Sequence, residues 1–190
     1  MAKLAVDIVL LPPEWVMDKA IEINKRLVKV GSKLVLDKQK VIPHMSLAMG
    51  VLEEAYLLEV SEILSSKIAP KFMPIELHVT GGDKEEGNGF SIERTPKLQA
   101  LHEEVMQSFL PFFTYEAPQE TYFCEINPQS FKFLPSFKKE HAFENFNPHI
   151  TLGKGNAGEL ESFKFTATRI AICHLGDYNT CRKILFECKA

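Results

Sequence analysis

Two short stretches constrain this chain more than anything else in it: Ile42-Pro43-His44-Met45-Ser46-Leu47-Ala48 and Asn147-Pro148-His149-Ile150-Thr151-Leu152-Gly153. Both read Pro-His-apolar-hydroxyl-Leu-small, and their histidines stand 105 residues apart. Side chains alternate across an extended strand, so residues i and i+2 share a face. His44 and Ser46 then lie on one face while Met45 and Leu47 turn into a core. His149 with Thr151, and Ile150 with Leu152, repeat the arrangement. A fold that uses both strands must give each an apolar backing and leave two imidazoles and two hydroxyls facing a shared space.

The rest of the chain supplies that backing. Leu4, Val6, Ile8 and Leu10 alternate with Ala5, Asp7, Val9 and Leu11, a strand buried on both faces. After Pro12-Pro13, the stripe Val16, Ala20, Ile23, Leu27, Val30 has helical spacing and ends at Gly31. Leu34–Leu36 and Val41–Val51 predict a hairpin turning near Asp37-Lys38. A second helix is expected over 53–68, with Leu57, Val60, Leu64 and Ile68 inward and Pro70 as its stop. Ile75, Leu77 and Val79 mark a half-buried strand. A polar turn from Gly81-Gly82 to Gly87-Asn88-Gly89 then leads to a returning strand over 90–94. Thr95-Pro96 is a helix start, with Leu98, Leu101, Val105 and Phe109 as the buried stripe and Pro111 as the end. A strand is expected over 121–126. Residues 127–147 have no clean period and are either functional or hide a short helix. Thr168–Leu175 and Lys183–Cys188 form a last hairpin. The strand–helix–hairpin order occurs loosely twice. The predicted class is therefore α+β, a single domain over 1–190 with two similar lobes. Each lobe has a mainly antiparallel sheet with outer helices, and the boundary between the lobes falls roughly within 81–121.

Composition narrows the function. With 190 residues, 45% of them hydrophobic and 25% charged, the chain can bury a sizeable core. A net charge of −3 supplies no global basic field for long nucleic acid. Seven basic residues between Lys19 and Lys40 face only Glu22 and Asp37; these are expected on a solvated helix face, a minority of them drawing in a phosphorylated ligand. No apolar run reads as a signal peptide or is long enough for a bilayer. Cys124, Cys173, Cys181 and Cys188 show no Cys-x-x-Cys spacing, so reduced thiols and a cytoplasmic monomer are expected.

The motif pair suits phosphodiester chemistry. A nucleophile must lose a proton while the leaving oxygen gains one, and an imidazole with a pKa near ~6.5 can do either. In-line displacement puts those oxygens on opposite sides of phosphorus, which two histidines from opposite lobes can serve. The hydroxyls can donate to the non-bridging oxygens, and no metal is needed. A lone His-x-Ser or His-x-Thr is equally well a strand histidine satisfied by the backbone. The recurrence of proline, leucine and a small residue around both makes the pair specific.

On Pro43-His44-Met45-Ser46-Leu47 and Asn147-Pro148-His149-Ile150-Thr151-Leu152-Gly153 the sequence resembles the two-histidine (2H) phosphoesterase superfamily, with its 2′–5′ RNA ligase-like proteins and 2′,3′-cyclic-nucleotide phosphodiesterases. The closing Leu175–Arg182 hairpin is similar to that group as well. The resemblance implies a bilobal fold with a central cleft, no cofactor or metal, catalytic His44 and His149, and phosphate-binding Ser46 and Thr151. Ser46 stands where many relatives have threonine, which keeps the hydroxyl. A basic residue five after the second histidine is also frequent there. Here it is Lys154, which strand alternation places on the face opposite His149 unless the strand ends at Gly153, so it is left out of the site.

The remaining histidines have plainer readings: His174 in a core or edge, His78 facing solvent, His102 at the surface beside a buried stripe. His141 is the one extra histidine to consider near a ligand. Of Phe131, Phe133, Phe137, Phe143 and Phe146, some can stack on a nucleobase, while most belong to core or lid. The leading expectation is a metal-independent phosphoesterase acting on a 2′,3′-cyclic phosphate, yielding a 2′-phosphate, or on a 2′–5′ linkage in a nucleotide or short RNA. A binding module without turnover and an RNA 2′–5′ ligase running the reverse reaction are the rivals.

Overall fold

The computed structural model describes residues 2–82 and 88–189. The expected turn from Gly81 to Gly89 lies largely outside them. Nine strands, all antiparallel, form one sheet: β1 (Lys3–Leu11), β2 (Met45–Glu53), β3 (Ile75–Gly82), β4 (Asn88–Ile92), β5 (Phe113–Thr114), β6 (His149–Gly153), β7 (Phe163–Ala167), β8 (Arg169–Gly176) and β9 (Thr180–Lys189). Their order is β7-β3-β4-β6-β2-β1-β8-β9, with β5 on the far end of β2.

This path is two four-stranded halves joined at one place. β9-β8-β1-β2 and β6-β4-β3-β7 are linked by a single residue pair, Met45 with Ile150. Beyond that pair the edges diverge, and β5 pairs with β2 only at Val51 and Leu52. The halves interleave in sequence. The chain passes to the second half before β3, returns at β5, leaves again for β6 and β7, and comes back for β8 and β9. One of these crossings, between β4 and β5, falls within 81–121.

Five α-helices flank the sheet: α1 (Glu14–Lys29), α2 (Leu57–Ile63), α3 (Ala69–Phe72), α4 (Pro96–Phe109) and α5 (Ser130–Glu140). α1 buries Val16, Ala20, Ile23 and Leu27 against the sheet and contacts β6, but Val30, beyond its last turn, is exposed. α4 starts as expected, the Thr95 hydroxyl accepting from Leu98 N at 3.2 Å, and lies against β2.

Several expectations are corrected. Residues 34–36 form no strand: Asn24, fully buried on α1, donates to Leu34 O and Leu152 O and accepts from Leu36 N, all at 2.8 Å. One side-chain amide thus takes the place of a ladder. Residues 121–126 are likewise not a strand, since the Gln119 amide serves Cys124 O and Ile126 N in place of a neighbour. Pro70 does not end its helix. A π-helical segment (Leu64–Ile68) precedes it, and it falls in the first turn of α3, where a missing N–H costs nothing. Cys173 and Cys181 form a disulfide with Cα atoms 5.4 Å apart, leaving Cys124 and Cys188 free; the cytoplasmic expectation loses the support that four thiols lent it. Among the described residues no helix is long and apolar enough to cross a membrane.

The wedge where β2 and β6 part is closed by His102 of α4, which is fully buried rather than at the surface. Its Nδ1 donates to Leu47 O at 2.6 Å and its Nε2 accepts from Phe143 N at 2.7 Å. Its ring stacks on Phe146 at 4.0 Å. Burial pulls this imidazole down to about 4, against the bond to Leu47, so it is neutral and structural.

Candidate functional site

The seam sets the geometry of the site. Met45 and Ile150 face each other across it, both buried in the core. Antiparallel register then puts His44 beside Thr151 and Ser46 beside His149, one step to either side and on the opposite face of the sheet. That face is the floor of a cavity of about 380 Å³, and His44, Ser46, His149 and Thr151 all line it.

Each histidine stands just after a proline, its ring locked by the carbonyl two residues earlier. His44 Nδ1 donates to Ile42 O at 2.7 Å, and His149 Nδ1 to Asn147 O at 2.9 Å. A carbonyl only accepts, so in both rings Nδ1 carries hydrogen and Nε2 is the nitrogen left for other partners. The segment before His44 is pinned by Ile42 N donating to Cys181 O, and Pro148 O accepts from Ile92 N.

The two motifs differ in what lies behind them. Asp7, from the middle of β1, is fully buried beneath the first. Its Oδ2 accepts from Ser46 Oγ at 2.6 Å and lies 3.5 Å from His44 Nε2, while its Oδ1 has no protein partner. Burial pushes the Asp7 carboxyl above its ordinary value, opposed by His44, Ser46 and the more distant His149. Burial pulls the His44 imidazole down, but the bond and charge of Asp7 outweigh it and the net direction is up. Both directions describe one fact: this pair holds a proton between them. Ser46, with its hydrogen engaged by Asp7, offers the cavity mainly its lone pairs. Behind the second motif the position across from Thr151 is Gly89, which has no side chain.

Sequence reasoning missed Asp7 as a site residue, although a carboxylate in the middle of a strand buried on both faces was the available signal. It also left out Lys154. β6 ends at Gly153, whose φ of +133° breaks the alternation, so Lys154 lines the cavity on the side of His149. Gly153 is required there twice over, because a Cβ would also stand 2.7 Å from Ser32 Oγ.

The walls come from three places. α5, hidden in the region without a period, contributes Ser130, Phe133 and Phe137, and His141 follows it, stacked on Phe133 at 4.4 Å. Phe131 instead packs on Tyr122, and Phe143 on His102. The β8–β9 turn contributes Tyr178, Asn179 and Thr180. Tyr178 and Asn179 take φ of 60° and 52°, a strained pair held by Asp177, which accepts from Asn127, Ser130 and Tyr178 N. Leu34, Leu36 and Ile42 make the third wall. None of the seven basic residues between Lys19 and Lys40 lines the cavity. Of the histidines left over, His174 is half-buried against Thr121 O, and His78 is partly exposed beside Glu93 and Ser162. Among the described residues no carboxylate lines the cavity, and its charge comes from Lys154 and whichever imidazoles are protonated.

No protein-family model matches the chain, and no curated protein matches it significantly. Solved structures do. TT0787 of Thermus thermophilus is 15% identical with a TM-score of 0.58, covering 98% of this chain and 97% of that one. A structure described as a phosphoesterase is 12% identical with a TM-score of 0.51, covering 98% and 97%. LigT of E. coli, solved in complex with 3′-AMP, is 12% identical with a TM-score of 0.53, covering 98% of both. At such identities the likeness is one of fold, and it runs the whole length of the chain.

Proposed function

We propose that this chain is a metal-independent two-histidine phosphoesterase of the LigT-like kind, opening a 2′,3′-cyclic phosphate to a 2′-phosphate or cutting a 2′–5′ phosphodiester in a nucleotide or short RNA. The observation that carries the reading is the single-pair seam, which brings the two His-x-hydroxyl strands side by side on the floor of one cavity. In the proposed reaction one histidine takes a proton from water and the other gives one to the leaving oxygen, each step worth about 10²–10⁴ in rate. Thr151 and Lys154 hold the non-bridging oxygens, Ser46 keeps its hydrogen on Asp7, and the aromatic wall of Phe133, Phe137 and Tyr178 takes the base. The shared fold with a phosphoesterase and with a protein that binds 3′-AMP supports this reading.

The cavity matches a nucleotide-sized ligand. Lys154 as its one lysine or arginine side chain among the described residues favours a single phosphate over a long polyanion. Two histidines and two hydroxyls make a poor metal set, and among the described residues no three His, Cys, Asp or Glu side chains are grouped to hold an ion. Ligation through the same site is the reverse direction, and the excess of water over a hydroxyl end favours hydrolysis.

The test is a turnover screen with chelator present. It covers four substrate classes: nucleoside 2′,3′-cyclic phosphates, RNA ends with a cyclic phosphate, 2′–5′ oligonucleotides, and cyclic phosphates of other sugars. Turnover in the first three is expected. Turnover of none of the four, or activity that returns only with one divalent ion, overturns the reading.

A further inference from the structure

The two histidines are not equivalent, and the difference lies in Asp7. His44 Nδ1 is committed as a donor to Ile42 O, so in a neutral ring Nε2 is a bare lone pair. That lone pair would lie 3.5 Å from Oδ2 of the fully buried Asp7. Lone pair against carboxylate is repulsive there, and a proton between them removes the conflict whether it resides on nitrogen or on oxygen. Ser46, at 2.6 Å from the same oxygen, holds the carboxylate in place. His149 Nδ1 is committed in the same way to Asn147 O, but its neighbour strand offers Gly89 and Ser91 and no carboxylate.

Resting on the proposed phosphoesterase reading, we infer that Asp7 is a positioning residue that stores the proton on the His44 side, making His44 the general acid and leaving His149 as the general base. As water attacks, its oxygen forms a bond to phosphorus and its proton passes to His149 Nε2. The bond from phosphorus to O3′ breaks, and the stored proton passes from His44 to O3′, giving the 2′-phosphate. Exchange with solvent then returns a proton to the His44–Asp7 pair and removes the one on His149. The other titratable groups around His44 come from every wall: His149 and Lys154 at β6, His141 after α5, and Tyr178 in the β8–β9 turn. None of them is a carboxylate, so among the described residues Asp7 is the one anion placed to retain the proton.

The inference is tested on the full-length chain with two readouts. The first is the proton titration of each histidine by NMR, in wild type and in Asp7→Asn, with Asp7→Ala as a second variant. His44 is expected to hold its proton above the ordinary imidazole range in wild type. In both variants its midpoint should fall by more than about one pH unit, a tenfold loss of proton affinity, while that of the more distant His149 moves less. A wild-type His44 midpoint at or below ~6.5 overturns the inference without any variant, and an unmoved midpoint in both variants does so too.

The second readout compares a nucleoside 2′,3′-cyclic phosphate with bis(4-nitrophenyl) phosphate, whose leaving group departs without a proton. Asp7→Asn and His44→Ala should lose about 10² or more in kcat on the first and only a few-fold on the second. His149→Ala should lose on both. Equal losses for Asp7→Asn on both substrates would mean that Asp7 acts only as structure, and the inference would fall. If wild type turns over neither substrate, the same variants are compared on whichever of the four substrate classes it does turn over; if it turns over none, the phosphoesterase reading and the acid role fall together, and the titration still decides whether Asp7 stores a proton on His44.

Discussion

The two halves of the cavity floor carry one motif on different ground. Behind His44 and Ser46 lies β1, whose Asp7 is fully buried and touches both. Behind His149 and Thr151 lies β4, which presents Gly89 across from Thr151. The near-symmetry comes from the strand pattern and the single pair at the seam. The asymmetry comes from a neighbouring strand, and it is the asymmetry that distinguishes an acid from a base. A duplicated motif therefore specifies where two like groups meet and leaves open what each does once they are there.

The strongest way to break the comparison is to remove each histidine. His44→Ala and His149→Ala should each lower kcat on a cyclic phosphate by about 10²–10⁴, and the double variant should be little worse than either single one, because the pair acts as a unit. The wild-type rate should be bell-shaped in pH with both limbs from imidazoles. A single variant with near wild-type kcat would show that the two halves do not cooperate.

The next test addresses the wedge between the halves rather than the chemistry. His102 is held neutral in the folded state at about 4, against ~6.5 when unfolded. Between those values the unfolded chain binds a proton that the native one refuses. Stability is therefore complete above about 6.5 and declines as pH falls toward 4, by on the order of 3 kcal/mol. Urea melts from pH 7.5 to 4.5 should show this slope, and His102→Gln should flatten it. An unchanged slope in the variant would assign the acid sensitivity to another group.

Gly153→Ala sharpens the contrast in a different way. Its φ of +133° and the 2.7 Å approach to Ser32 Oγ predict a loss of about 1–3 kcal/mol in denaturant melts, with Lys154 displaced from the cavity. The smallest effects belong to the hydroxyls. Thr151→Ala should mainly raise KM, by roughly tenfold, and leave the pH profile in place. Ser46→Ala should shift the alkaline limb, where the general acid loses its proton, because it also frees Asp7. Identical profiles for the two variants would mean that the halves are equivalent after all.

Much of this was legible in the residues. The alternation of Met45, Leu47, Ile150 and Leu152 against His44, Ser46, His149 and Thr151 set which side chains share a face. The stripes of α1 and α4 and the cap at Thr95 were equally local. The segments 34–36 and 121–126 were misread for one reason: their backbone groups are satisfied by the side-chain amides of Asn24 and Gln119, and an apolar period does not report a side chain that substitutes for a neighbouring strand. β5 was missed because two residues carry no period, whereas β7 was legible, Phe163, Phe165 and Ala167 alternating with Lys164 and Thr166, and was overlooked. His102 was placed at the surface because a histidine beside a helical stripe is usually solvated, and only the parting of β2 and β6 supplies it with Leu47 O.

What the sequence determined by itself is the content of each strand, since a two-residue period and the cost of burying an imidazole leave one orientation for each motif. What only the tertiary structure decided is the meeting of the two motifs at one residue pair, and the carboxylate placed behind one of them. Both depend on which strand lies beside which, and that is settled by the packing of the whole sheet against its helices, over separations that no local period spans.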